Sequence, residues 1–170
     1  LTVLRREQVG FIFQAYNLIP TLTALENITL PLDLGGVDVD QAWLNDVVHA
    51  VKLESRLTHR PSELSGGQQQ RVAIARALVQ EPKIILADEP VASLDPVNAQ
   101  SVMDALRKIN QERGITVLCN LHSVPLARTY CDRIIGLNAG RVVFDGQASE
   151  LDEERLVLVY GSQAELQDAL

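Results

Sequence analysis

A chain of 170 residues with 46% hydrophobic and 22% charged residues has the composition of one globular domain, or part of a larger one. Its net charge of −7 argues against a general nucleic-acid binder, which would present a basic face. No apolar run is long enough to cross a bilayer, and no secretory signal pattern opens the chain.

In chain order, Val9-Gly10-Phe11-Ile12-Phe13-Gln14 is apolar and β-prone, which predicts a strand ending at Gln14. Residues 15–23 read as irregular, with Pro20 as a breaker. A short helix is expected over 23–30, with Thr23 as N-cap, Glu26 closing a capping box, and Pro31 ending or bending it. After a turn at Leu34-Gly35-Gly36, Asp40 is placed to cap a second helix over 41–53. Its stripe of Trp43 or Leu44, Val47, Val48 and Val51 reads as core packing. His49 and His59 have no partner pattern and are assigned to surface or packing, and 56–63 form a connector.

The chain is organised around the stretch 64–78, which opens Leu64-Ser65-Gly66-Gly67-Gln68. Two glycines let a backbone come close to a ligand, and Val72, Ala75 and Leu78 then recur at helical spacing. A serine and two glycines opening a helix point free N–H groups outward at the positive end of its dipole, which makes an anion site. The plainer alternative is a glycine turn capped by Ser65. Next comes Lys83-Ile84-Ile85-Leu86-Ala87-Asp88-Glu89-Pro90, with Ser93-Leu94-Asp95 just beyond. The apolar run suits the middle of a parallel sheet covered on both faces. Asp88, leaving the strand end, can hold magnesium (Mg2+) directly or through water. Glu89 is expected to point the other way along the strand, free to orient and polarise a water. The alternative for the two acids is helix capping.

A helix is predicted over 97–113 with Gly114 as C-cap, then a buried strand over 115–121 ending at His122. The two cysteines lack metal-ligand or paired spacing and read as reduced cytosolic thiols, Cys119 within that buried strand and Cys131 beyond it. Ser123 is a possible N-cap for a helix to Tyr130. Strands over 132–137 and 141–144, joined by Asn138-Ala139-Gly140, form a hairpin. Past Gly146 the chain turns acidic, then apolar over 156–160, and ends in a helix-prone polar stretch. Strand, helix, strand, helix, hairpin is an α/β class.

These motifs resemble those of the ABC-transporter ATPases over residues 9–151. Leu64 to Gln68 is similar to their signature motif, Ile84 to Glu89 to their Walker B strand and catalytic glutamate, and Ser93 to Asp95 to their D-loop. The resemblance implies a P-loop NTPase-type parallel sheet core with a helical subdomain over about 23–80, core sheet over 83–151, and a tail over 152–170. No Gly-x-x-x-x-Gly-Lys-Ser/Thr occurs in the chain, whose only methionine is Met103. In the family that phosphate loop comes first, so residues 1–170 are expected to be a partial nucleotide-binding domain lacking its N-terminal part.

The resemblance further implies a division of labour. Gln14 would approach the metal and the attacking water, Asp88 would hold Mg2+, and Glu89 would be the catalytic carboxylate. His122 would be the switch histidine contacting the γ-phosphate; on its own a histidine there is usually a surface or packing residue. Ser65, Gly66, Gly67 and Gln68 would bind ATP held by a second nucleotide-binding subunit, with Asp95 crossing the dimer interface. Transmembrane permease subunits, and a substrate-binding protein indirectly, would be the other partners, with no nucleic acid. The place implied is peripheral, at the cytoplasmic face of the inner membrane. Tyr16, Leu18, Ile19, Leu22 and Leu25 are expected to form the exposed apolar docking surface for the permease, or else to pack under the helical subdomain.

The branches of the family pull two ways. Residues 11–31 and 61–64 are similar to lipoprotein-release and macrolide-export ATPases. Glu89-Pro90-Val91-Ala92-Ser93-Leu94-Asp95, Leu121-His122-Ser123-Val124 and 128–134 are similar to phosphonate-import ATPases, and this match is longer. The expected function is ATP hydrolysis energising import of a phosphonate or phosphate ester. Export, a non-catalytic interaction fragment, and a non-transport ATPase of translation or DNA repair are the alternatives.

Overall fold

The computed structural model describes residues 8–92 and 94–161, and every α-helix among them starts at a side-chain cap. The caps are Thr23, Asp40, Ser65, Asp95, Ser123 and Asp152, each accepting from a backbone N–H of the first turn. The chain divides into two units, Leu1–Asn120 and Leu121–Leu170.

The first unit holds strand β1 (Val9–Ile12), helices α1 (Ala24–Gly35), α2 (Gln41–Ala50) and α3 (Gly66–Leu78), strand β2 (Ile84–Asp88), helix α4 (Pro96–Arg113) and strand β3 (Thr116–Asn120). The strands form a parallel sheet in the order β1-β2-β3, with Ile12 opposite Ala87 and Asp88 opposite Asn120. Ile12, Ile28, Leu53, Ile74, Leu78, Ile85 and Val102 are fully buried. Each such side chain contributes about 1.5–3 kcal/mol by leaving water. Helix α3 lies close on β1: a Cβ at Gly10 would stand 3.1 Å from the Ala77 carbonyl oxygen.

Three local expectations are corrected here. The helix expected to stop or bend at Pro31 runs on to Gly35. Leu32 and Ile28, one turn apart, are both buried along this helix, and Gly36 closes it in the left-handed conformation with φ 63°. Burial and a glycine C-cap outweigh the cost of one interior proline, about 3 kcal/mol. The strand expected to reach Gln14 ends at Ile12. The sheet is covered on one face only among the described residues. Ile12, Ile85 and Ala87 are buried, while on the other face Phe11 is 39%, Ile84 40% and Leu118 59% exposed. β3 is therefore not a buried strand, and Cys119 is half-buried.

The second unit holds helix α5 (Val124–Tyr130), the hairpin β4 (Ile134–Asn138) and β5 (Arg141–Gly146), and helix α6 (Glu153–Tyr160). Asn138 pairs with Arg141, so the turn is Ala139-Gly140, with φ 46° and 74°. Two left-handed residues match the twist of a two-residue hairpin. Val124, Phe144, Leu151 and Leu156 form its core. The tail stretch beyond Gly161 lies outside the described residues.

Candidate functional site

Two turns of the first unit carry most of the candidate residues. The first opens α3. Ser65 Oγ accepts from the Gln68 N–H at 3.3 Å, and Gln68 Oε1 accepts from the Ser65 N–H at 2.9 Å. This reciprocal box uses the Gln68 carbonyl for capping. It leaves the N–H groups of Gly66 and Gly67 in the first helical turn, where a helix offers no partners of its own. The donor set, two glycine N–H groups at a dipole's positive end, fits a phosphate.

The second turn leaves β2. Asp88 is exposed at the strand end, and its Oδ1 accepts from Asn120 Nδ2 at 3.1 Å. One carboxylate with an open oxygen, aided by waters, fits the oxygen-rich shell of Mg2+. Glu89 does not continue the strand's alternation. Pro90 has no N–H to extend the ladder, and Glu89 turns instead into the left-handed region with φ 45°, half-buried. The two acids are thus separated by a turn rather than by the pleat. A non-glycine residue in this conformation costs of order 1–3 kcal/mol, a conformation Glu89 shares with Tyr16, Asn17, Lys52, Glu81 and Ala139. Gln14 is exposed two residues past Ile12, as Glu89 is two residues past its partner Ala87, so both follow the same sheet edge.

Beyond them, Asp95 caps α4. Its Oδ1 accepts from the Val97 and Asn98 N–H groups, each at 3.1 Å, and its Oδ2 from Asn98 Nδ2 at 2.5 Å. The Asn98 side chain, then its N–H and that of Val97, hold the Asp95 carboxyl below its usual range. Ser93 lies outside the described residues. His122 belongs to the second unit, exposed, with its carbonyl accepting from the Tyr160 hydroxyl at 3.2 Å.

The loop after Gln14 is built by two side chains that sequence reasoning did not single out. Tyr16 and Asn17 are both left-handed, with φ 52° and 50°. Arg76 of α3 donates to both of their carbonyls, from Nη2 at 2.8 Å and Nη1 at 2.7 Å. Asn27 of α1 is buried; its Oδ1 accepts from the Ile19 N–H, and its Nδ2 donates to the carbonyls of Ile19, Leu22 and Thr23. Of the expected docking residues, Ile19 is 39% exposed, while Tyr16, Leu18, Leu22 and Leu25 are half-buried. No helix among the described residues is long and apolar enough to cross a membrane.

Known proteins resemble this chain in sequence and in fold. The sequence model of one family, described as ABC transporter, covers residues 2–92. The phosphonates import ATP-binding protein PhnC of Rhizobium johnstonii is 51% identical over 90% of this chain and 58% of its own length. Its namesake in Bacillus thuringiensis subsp. konkukian is 47% identical over 97% of this chain and 68% of its own. The chain thus spans 58–68% of the length of these two relatives. Among solved structures, a dimeric ATP-binding cassette in a post-hydrolysis state, bound to ADP and Pi, aligns with a TM-score of 0.75 at 43% identity. The alignment covers 86% of this chain and 66% of that one. A protein of Clostridium perfringens, part of the cbiONQ ABC transporter complex, aligns with a TM-score of 0.81 at 26% identity over 98% of this chain and 68% of its own. A family match over more than half the chain, and relatives that run through nearly all of it, agree: this chain belongs to the ABC transporter family.

Proposed function

We propose that this chain is the catalytic segment of an ATP-binding and ATP-hydrolysing subunit that energises import of a phosphonate or phosphate ester. The observation that carries the reading is the acid turn, where Asp88 is hydrogen-bonded to Asn120 and Glu89 is held left-handed beside it. Bound Mg·ATP would supply a phosphoryl group ready for transfer to water. Asp88 would hold the metal, which would neutralise charge on the phosphates. Glu89 orients the water and accepts its proton at a carboxylate oxygen. Gln14 would help place the same water and metal, and the family resemblance gives His122 the contact to the terminal phosphate.

Ser65, Gly66, Gly67 and Gln68 belong to the site of the partner subunit, as does Asp95, so hydrolysis requires two chains to close on each other. A two-fold pair makes two such sites. The subunit works at the cytoplasmic face of the membrane, peripheral to permease subunits that receive the loop over 15–25, with a substrate-binding protein acting indirectly. The names of the relatives support phosphonate as cargo.

Growth tests the cargo. For the test, the phosphate-loop portion of a PhnC relative is joined ahead of this chain, giving an extended subunit. In cells deleted for a phosphonate importer's ATPase and carrying its permease, the extended subunit should restore growth on a phosphonate as sole phosphorus source. Good expression and ATP hydrolysis without growth would move the reading to export.

A further inference from the structure

Gly67 is the second residue of α3 and is buried. A Cβ built on it would stand 2.5 Å from Asn98 Oδ1, 2.6 Å from its Cγ and 2.8 Å from its Cβ. Turning the Asn98 side chain away cannot clear this contact, because the Asn98 Cβ is fixed to the first turn of α4. Its neighbour Gly66 is under less constraint: the nearest atom to a Cβ there is the Tyr16 hydroxyl oxygen at 3.0 Å. The same Asn98 amide donates to Asp95 Oδ2 at 2.5 Å, and its N–H donates to Asp95 Oδ1 at 3.1 Å.

One side chain therefore touches both the glycine turn and the turn that holds Asp95. We propose that Asn98 is a positioning residue that locks these two turns of one subunit together, so that they meet the other subunit's ATP as a single surface. The functional half of this rests on the reading above. Gly67 is then glycine for a reason inside its own chain, besides any approach of a ligand. Asn98 touches neither ATP nor the reacting atoms; it acts through Gly67 and Asp95.

The test is a substitution series in the extended subunit. G67A should lower the thermal unfolding midpoint most. G67A/N98A should recover part of the loss, because the Asn98 Cβ remains in the way. G67A/N98G should unfold at the temperature of N98G alone. Equal losses in all three backgrounds, each measured against its own position-98 parent, would overturn the lock. In an E89Q background, N98A should keep ATP binding by the monomer and weaken ATP-driven dimer formation about tenfold. Unchanged dimer formation would overturn the positioning role. A passed thermal series with no ATP-driven dimer in the E89Q parent would instead count against the ATPase reading, leaving the lock itself supported.

Discussion

At the start of α3, Ser65 and Gln68 satisfy each other's backbone groups, and Gly67 is buried against Asn98. At the end of β2, Asp88 is exposed and Glu89 is held in a left-handed conformation before a proline. The first turn is relaxed and over-determined. The second stores strain and presents charge. An anion-binding turn needs its N–H groups fixed in place, which capping and close packing provide. On the reading proposed above, the second turn carries the chemistry, and its left-handed residue costs conformational energy that the rest of the fold must offset.

If this contrast is right, changes on the α3 side lower stability, and changes on the acid side alter turnover without lowering it. The largest effect is expected at Arg76. Arg76→Ala removes two charge-assisted hydrogen bonds from the left-handed residues Tyr16 and Asn17 and should cost about 3 kcal/mol in urea unfolding. Ser65→Ala deletes one half of the capping box and should cost about 1 kcal/mol by the same measurement. Glu89→Gly relieves a left-handed backbone, so it should stabilise by up to about 1 kcal/mol while abolishing turnover. A destabilised Glu89→Gly would break the comparison.

The smallest effect is a pH dependence at Asp95. Its folded carboxyl is held below its unfolded value, so its contribution is complete above the unfolded value of about 4 and is lost as pH falls through the folded one. Asp95→Asn should flatten the acid side of the stability profile relative to the parent, measured by thermal unfolding. Glu26, Glu54 and Asp145 are lowered in the same direction and form the background common to both proteins.

Much of this was legible in the sequence because caps are local chemistry. Thr23, Asp40, Ser65 and Ser123 each act within three residues of themselves. The apolar strand leading to Asp88 was legible from its run of Ile84-Ile85-Leu86-Ala87, and the parallel sheet it joins from that run together with the family resemblance. What was not legible is longer-range. Arg76 reads as helix filler until its partners, about 60 residues earlier, are in place. Asn27 and Asn98 are ordinary polar residues of helical segments until the loop and the glycine they hold are seen. Leu118 looks like core because an apolar run does not say which face of a sheet is covered. Glu89 was read from strand alternation, which Pro90 had already ended.

The central claim is that Glu89 is the carboxylate that activates water in an ATP-hydrolysing subunit. The most direct measurement compares Mg·ATP binding and phosphate release by the extended subunit and its E89Q variant. Glutamine keeps the shape and removes the charge. The account predicts unchanged ATP affinity, phosphate release lowered by a factor on the order of a hundred or more, and an ATP-bound dimer that accumulates. E89Q releasing phosphate at close to the parent rate would contradict it.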